Sequence, residues 1–286
     1  MIRSAILLCF CASISLSQQL VLGIIEQHFH DWRVDSLNAF VIRVAFKKEA
    51  REWKPFPTDF SPPQASKPFY PATMSWNICF DGRILGSLSS HTPDVIRYYK
   101  DIGIHYIDDV SKVPKIGKPG LDFSGWVGEP VHRPLVVCTS PFCADKDKWK
   151  PYKPTQADVS AVLEFVRTNF TKSVSSLLAG KYRIEKSYLS RRNKLVCISF
   201  DDEVPIPVDT SNIFESESGT NSLAWFLLGD SSCVYLRSNM LLLDAGDYDN
   251  DGKVEVVFKF EEYDHDGYIF YYEDFRRMSE FGWIYH

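Results

Sequence analysis

Acidic side chains alternate along residues 247–255, Asp-Tyr-Asp-Asn-Asp-Gly-Lys-Val-Glu, in a pattern suited to binding a metal ion. Asp247, Asp249 and Asp251 hold the first, third and fifth positions, with Gly252 sixth and Glu255 ninth. Ca2+ takes about six to eight oxygen ligands, and alternate residues of a curled loop can supply several of them. Glycine at the sixth position permits the sharp turn. Carboxylates this close repel one another unless a cation or water compensates them, so the spacing predicts a calcium site.

The residues on both sides of this loop predict strands. The segment Leu-Leu-Leu-Asp-Ala precedes it at 241–245, and residues 254–260 alternate in character after it. The twelfth position is Phe258, where an EF-hand has a bidentate glutamate, so the pattern excludes an EF-hand. An acidic, solvated β-turn that binds no ion is the alternative interpretation.

The pattern Asp-x-Asp-x-Asp-Gly-x-x-Glu between two strands resembles the calcium loop of FG-GAP and VCBS repeats, which occur in integrin-type β-propellers and in many secreted bacterial proteins. The resemblance implies that the ligands are side-chain oxygens of Asp247, Asp249, Asp251 and Glu255 and the backbone carbonyl of Lys253. It covers the loop and at most its flanking strands. Those families show several copies and this chain shows one, so a propeller is not expected, and the ninth position is Glu where Asp is commoner.

Residues 264–267, Asp-His-Asp-Gly, form a second acidic turn between predicted strands. A third ligand at the right spacing is missing, because the next alternate position is Tyr268. We therefore interpret it as a hairpin turn in which the glycine supplies a positive φ. It could add an outer ligand only if the sheet brought it beside the first loop.

Residues 1–17 have the pattern of a secretory signal peptide. A short basic region and a compact apolar run precede Ser15 and Ser17, the small residues that signal peptidase reads, so the mature chain is predicted to start at residue 18. The apolar run is too short for a membrane span and no later segment approaches the needed length. We therefore expect a secreted or periplasmic protein, with an uncleaved apolar N-terminal segment as the alternative. Extracellular calcium sites are typically weak, with Kd values of about 10⁻⁴–10⁻³ M.

The chain of 286 residues carries a formal charge of −5 and is 45% hydrophobic, which is ordinary for a globular protein. The absence of a basic excess argues against a nucleic-acid partner. Six prolines between residues 53 and 71 predict a linker or an extended surface segment. We divide the chain into the signal peptide (1–17), an N-terminal strand with a Pro-rich linker (18–72), and an α+β domain with a sheet-rich C-terminal half (73–286).

The predicted fold class is α+β, predominantly antiparallel β-sheet with two main helices at about 92–101 and 155–170. Thr92 and Pro93 have the types expected at a helix start, and Thr155 with Asp158 forms a capping box. Asp81-Gly82 between apolar segments predicts a hairpin. After residue 181 the patterns predict strands in succession, at 182–189, 194–200, 223–229, 233–237, 239–244, 254–260, 267–273 and 276–285.

Cysteine pairing remains open. The five cysteines outside the signal peptide are Cys79, Cys138, Cys143, Cys197 and Cys233. An odd number leaves at least one thiol free or intermolecular. Cys138 and Cys143 flank a turn-like spacer that could close a short disulfide, while Cys197 and Cys233 could pair or stay buried. The spacing matches no zinc site.

Catalytic signals are weak, and no catalytic or cofactor-binding residue is assigned. The chain has no nucleophile elbow, His-Glu-x-x-His pair or Gly-rich phosphate loop. Ionisable groups that could still meet in space are His28, His30, His91, His105, His132, Asp108, Asp109, Asp201, Asp202 and Glu203.

Aromatic residues make up 14% of the chain. They are expected to lie mostly in the core and in cross-strand pairs, and an exposed row that holds a glycan or protein ligand is the alternative. The row consists of Trp225, Phe226, Tyr268, Phe270, Tyr271, Tyr272, Trp283 and Tyr285.

The functional hypothesis is an exported protein with one structural Ca2+ and a binding or structural role without enzymatic activity. The alternative is an exported hydrolase acting on polysaccharide or peptide. A surface-interaction module is the third possibility.

Overall fold

The computed structural model describes residues 19–28, 39–114, 116, 134–169, 182–200, 223–230, 232–262 and 264–285. Within these ranges the chain forms three antiparallel β-sheets and an α-helix, α1 (Gln156–Asn169), so the predicted predominance of antiparallel sheet is confirmed. The predicted signal peptide, His30, His132 and the acidic run 201–203 lie outside the described residues.

The first sheet has seven strands and takes them from both sides of residue 72. They are β1 (Val21–His28), β2 (Ala39–Glu49), β3 (Glu52–Pro55), β4 (Thr73–Phe80), β5 (Arg83–His91), β6 (Ile104–Ile107) and β7 (Leu135–Cys138). Their order is β1-β7-β4-β5-β6-β2-β3, and β1 also pairs with β2. The sheet therefore closes on itself, with β3 attached outside the ring. The segment predicted as a strand and linker before the main domain thus contributes three strands to the same sheet as the residues after it.

The hairpin predicted at Asp81-Gly82 joins β4 to β5. Both turn residues have positive φ, 50° and 67°, as a type I′ turn requires.

The helix predicted at 92–101 is wrong. The chain has no regular structure directly after Thr92 and makes only a 3-10 turn, Tyr99–Asp101. The Thr92 hydroxyl donates to the Pro71 carbonyl at 2.8 Å instead of capping a helix, and the Ile96 N–H donates to the Gln64 side chain at 2.7 Å. These long-range partners replace the hydrogen bonds that a helix would have made within itself.

The second and third sheets hold the C-terminal strands in the predicted succession. The second sheet runs β12-β11-β10-β9-β8 and the third β13-β14-β15-β16. Their strands are β8 (Lys150–Pro151), β9 (Tyr182–Leu189), β10 (Lys194–Phe200), β11 (Leu223–Leu228), β12 (Cys233–Ser238), β13 (Met240–Gly246), β14 (Glu255–Glu262), β15 (His265–Tyr272) and β16 (Arg277–Ile284). The predicted bounds agree to within about two residues, which is the usual uncertainty of element ends.

Helix α1 begins where the capping box predicts. The Thr155 N–H donates to the Asp158 carboxylate at 2.8 Å, and the Asp158 N–H donates back to the Thr155 hydroxyl at 3.2 Å. Val162 and Val166 are buried against the second sheet, because they recur on one face of the helix.

The third sheet is the middle layer of the molecule. On one face Val257 and Phe270 join the core of the first sheet, and on the other Phe258 and Phe260 pack with the second sheet. This alternation follows from the period of two in a strand. The aromatic row considered as a ligand surface is therefore mainly core: Tyr285 is 41% exposed, and the other seven members are buried.

Candidate metal centre

The acidic loop joins β13 to β14, as the flanking patterns predict. Gly246 and Glu255 are register partners at the base of the loop. Phe258, the twelfth position, is fully buried within β14, so it belongs to the sheet core and not to the loop.

Three loop carboxylates converge. One oxygen each from Asp247, Asp249 and Glu255 lies within 4.8 Å of the other two. Asp247 and Glu255 are each 1% exposed, and the side chain of Asp249 is 2% exposed. We call these three residues the carboxylate group.

Backbone N–H groups fix the orientation of the carboxylate group. The Asp251 N–H donates to Oδ1 of Asp247 and to Oδ1 of Asp249, each at 3.0 Å, and the Gly252 N–H donates to Oδ2 of Asp247 at 3.0 Å. The Tyr248 N–H donates to Oε2 of Glu255 at 2.8 Å. The curl that allows this uses positive φ at Gly252, +91°, which is the role predicted for that glycine.

The Asp251 side chain, predicted as a ligand, is not part of the carboxylate group. The Asp251 side chain is exposed, and its Oδ1 accepts a hydrogen bond from the Lys253 N–H at 2.8 Å. The Lys253 ammonium forms an ion pair with Glu273, and the role of the Lys253 backbone carbonyl as a ligand stays a prediction. Asp251 therefore shapes the loop through its backbone N–H, while its carboxylate faces solvent.

Two lysines from other parts of the chain contact the carboxylate group. Lys48 at the end of β2 forms an ion pair with Asp249, and Lys146 in the segment after β7 forms one with Asp247. The indole N–H of Trp53 also donates to Asp249 Oδ2 at 3.2 Å. Sequence reasoning missed these partners because the residues around a lysine carry no signal of a contact about 200 residues away, as for Lys48 and Asp249.

Burial raises the pKa of Glu255 well above its ordinary value, and repulsion from Asp249, Asp247 and Asp251 adds to the effect. The hydrogen bond from the Tyr248 N–H opposes the shift without cancelling it. Ionised Glu255 is therefore costly in this structure, because a buried carboxylate is poorly solvated and sits among like charges.

The chemistry of the donors fits a hard cation. Three carboxylates offer up to about six oxygens, and the described group contains neither sulfur nor imidazole. Oxygen ligands suit Ca2+ and Mg2+, whereas zinc sites usually include Cys or His.

The second acidic turn lies at the opposite end of β14 from Glu255, so it cannot serve as an outer ligand. Its positive φ falls on Asp264, 60°, and not on Gly267 as predicted. Gly267 lies within β15, where a Cβ would come within 2.3 Å of the Phe281 carbonyl oxygen. The glycine is required there by close packing of neighbouring strands.

Two of the candidate catalytic histidines lie near an open cleft of about 570 Å³ that Ser89, Ser90 and Asp108 help to line. His91 pairs with Asp108 at 2.6 Å, and both side chains are exposed. His105 is fully buried and lies between Ser90, at 3.1 Å, and Thr92, at 3.3 Å.

The Ser90 oxygen also accepts the Trp76 indole N–H at 2.8 Å. Ser90 is 1% exposed, so we interpret the Ser90–His105 contact as part of a satisfied polar network in the core.

The five described cysteines are all free thiols in this structure, so the short disulfide considered for Cys138 and Cys143 stays a prediction. Cys197 packs in the core between the second and third sheets, whereas Cys233 packs on the side of α1. These two residues therefore lie in different core clusters and cannot form a disulfide with each other.

Within the described residues no helix has the length and apolar character needed to cross a bilayer. The resemblance to FG-GAP and VCBS loops rests on the loop alone. Comparison of the chain with protein-family models, curated proteins and solved structures finds no match.

Proposed function

We propose that residues 247–255 bind Ca2+ as a structural ion and that the protein is exported, with a binding or structural role. The observation that supports this most directly is the convergence of Asp247, Asp249 and Glu255 within 4.8 Å. Lys48 and Lys146 pair with Asp249 and Asp247, whereas Glu255 is buried among these like charges. A buried carboxylate in that setting is costly unless a cation compensates it, and Ca2+ is the cation that the loop spacing favours.

The ion would fasten the two ends of one hairpin loop. Asp247 directly follows β13 and Glu255 begins β14, so a shared cation ties the strands at the base of the loop. The same loop is attached to the first sheet through the ion pair of Asp249 with Lys48 of β2. It is also attached to the segment after β7, because the Asp247 N–H donates to the Ala144 carbonyl at 3.0 Å. Any ligand that binds only the folded state stabilises it by mass action, so the ion would stabilise this junction of two sheets.

Export supports the choice of ion. The tripartite pattern of residues 1–17 is typical of a signal peptide, and calcium outside the cytosol is abundant enough to fill weak sites. N-terminal sequencing of the protein recovered from an exporting host should begin at Gln18. Recovery of the intact N-terminus from the cell interior would contradict export without bearing on calcium binding.

Thermal unfolding in EDTA and in millimolar Ca2+ tests the metal site. For a Kd near 10⁻⁴ M, 1 mM Ca2+ adds about 1.4 kcal/mol to the free energy of unfolding, or roughly 3–5 °C in Tm. Asp249→Asn should remove the difference, because it weakens a ligand of the carboxylate group. Asp251→Asn is the matched control and should keep most of it, since the Asp251 carboxylate faces solvent.

An identical melting temperature in EDTA and Ca2+ for the wild-type protein, together with no heat of Ca2+ binding by calorimetry, would exclude the site. Equal loss of the calcium effect in Asp249→Asn and Asp251→Asn would instead support the ligand set that the FG-GAP resemblance implies. Mg2+ at the same concentration measures selectivity, because Mg2+ demands shorter, near-octahedral coordination.

A further inference from the structure

Three thiols meet in the core of the first sheet, beside the acidic loop. Cys79 lies in β4, Cys138 is the last residue of β7, and Cys143 follows five residues later. Their exposed fractions are 0%, 1% and 3%. Strands β4 and β7 are neighbours in the sheet, and Cys79 is the register partner of Val136.

The sulfur atoms of Cys79 and Cys138 are in contact. Their Sγ–Sγ separation is 3.6 Å, although the two residues are 59 positions apart in the chain. Cys138 Sγ lies 3.2 Å from the Ser140 carbonyl oxygen and 3.6 Å from that of Phe142. The residues directly after Cys138 therefore surround its sulfur. The sheet therefore brings two thiols together that the sequence did not identify as partners.

Cys143 completes the cluster. Hydrogen bonding to Cys138 and Cys143, with burial, raises the pKa of the Cys79 thiol above its ordinary value. Once folded, Cys79 is therefore neutral, and the thiolate is the form that attacks a disulfide. Oxidation of this pair has to occur while the chain is folding and its thiols still reach solvent.

We propose that Cys79 and Cys138 form a disulfide when the chain folds in an oxidising environment, with Cys143 left as a buried thiol. The pair is chosen because its sulfurs are in contact at 3.6 Å. The residues are diagonal neighbours across β4 and β7, so bringing the sulfurs to about 2.05 Å requires a local adjustment of the two strands. Cys143 is the competing partner for Cys79. The proposal does not depend on calcium binding.

The chemistry is a thiol–disulfide exchange with a small-molecule or protein disulfide as oxidant. The Cys79 thiolate attacks one sulfur of the oxidant, forming a mixed disulfide and releasing one thiolate, which takes up a proton. The Cys138 thiolate then attacks the Cys79 sulfur and releases the second thiol. Two protein thiols are oxidised by two electrons and one external disulfide is reduced to two thiols.

Refolding of the reduced, denatured full-length chain in a buffer of reduced and oxidised glutathione tests the proposal. After refolding, the protein is quenched with acid and unfolded in denaturant so that buried free thiols can be alkylated, and it is then digested without reduction and mapped by mass spectrometry. We expect a peptide pair linked through Cys79 and Cys138, with Cys143, Cys197 and Cys233 alkylated. The oxidised protein should melt roughly 5–10 °C above the fully reduced one, as expected for a bond closing a long loop.

Two variants separate this pairing from its competitors. Cys143→Ala should still give the link between Cys79 and Cys138, and Cys79→Ala should abolish it. If the wild-type protein gives Cys138 linked to Cys143, or all five described cysteines alkylated, the proposal is overturned. The wild-type map decides the question even if a variant fails to fold.

Discussion

Lys48, in a strand of the first sheet, forms an ion pair with Asp249 of the acidic loop, 201 residues later in the chain. The contact brings a positive charge directly onto an oxygen that the proposed Ca2+ would use. Lys146 forms a similar ion pair with Asp247. The two ammonium groups thus compensate the carboxylate group without a metal, and each would compete with the ion for the same oxygens.

Lys48→Met should therefore lower the stability of the metal-free protein and raise its affinity for Ca2+. In EDTA the free energy of unfolding should fall by about 1–3 kcal/mol, because the buried Asp249 carboxylate loses its partner. The affinity for Ca2+ should rise by roughly three- to tenfold, which corresponds to removing a competing pair worth about 0.6–1.4 kcal/mol. Denaturant unfolding and titration calorimetry measure the two effects.

Lys253→Met is the matched control for Lys48→Met. Its ammonium pairs with Glu273 and does not contact the carboxylate group. Its calcium affinity should stay close to that of the wild-type protein. Equal affinities in Lys48→Met and the wild-type protein, measured with calcium clearly bound, would show that Lys48 does not compete.

Glu255→Gln should stabilise the metal-free protein and remove most of the stabilisation by calcium. Burial and neighbouring carboxylates raise the pKa of Glu255, so the ionised form destabilises the metal-free fold at neutral pH. A neutral amide can still accept the Tyr248 N–H, and the variant should melt above the wild-type protein in EDTA. It should gain little from Ca2+, because a ligand charge is lost. A variant that melts lower than the wild-type protein in EDTA would contradict this account.

The contributions of Arg43 and Glu26 to the free energy of unfolding should depend on each other. Arg43 is 2% exposed, its Nε donates to Glu26 at 2.7 Å, and its guanidinium lies 3.8 Å above the Trp283 ring. Arg43→Met should cost about 3–5 kcal/mol, because it leaves Glu26 without its charge partner. Adding Glu26→Gln should recover part of this loss. Additive losses in the double variant, measured by denaturant unfolding, would show that the two side chains act independently.

His105 should make the fold sensitive to mild acid. Burial, with a smaller contribution from His91, lowers the pKa of His105 from 6.5 to about 4. The unfolded chain binds a proton at higher pH than the folded one, so this contribution to stability is complete above about pH 6.5 and is lost as the pH falls towards 4. The loss should reach about 2 kcal/mol at pH 5.

Denaturant unfolding between pH 7.5 and 5 tests the role of His105. His105→Gln lowers stability throughout, because it disturbs the contacts with Ser90 and Thr92, but its stability should vary less with pH than that of the wild-type protein. Parallel pH curves for the two proteins would assign the acid sensitivity to other groups.

Local patterns predicted the elements whose signals lie within a few residues. The hairpin at Asp81-Gly82, the capping box of α1 and the succession of C-terminal strands all agree with the structure. Each depends on a turn, a cap or a strand period, and these are decided by neighbours in the chain. The helix predicted at 92–101 is wrong because its polar groups bond to residues distant in sequence. The Thr92 hydroxyl donates to the Pro71 carbonyl, and the Ile96 N–H donates to the Gln64 side chain.

The sequence by itself determined that an acidic loop with a positive-φ glycine lies between two strands, because alternation and turn chemistry are local. Only the tertiary structure decided that Lys48 and Lys146 contact the acids of this loop, and that Cys79 touches Cys138. The physical reason is that these contacts join different sheets or distant strands. Their partners are selected by how the sheets pack, and side-chain spacing along one segment contains no record of that packing.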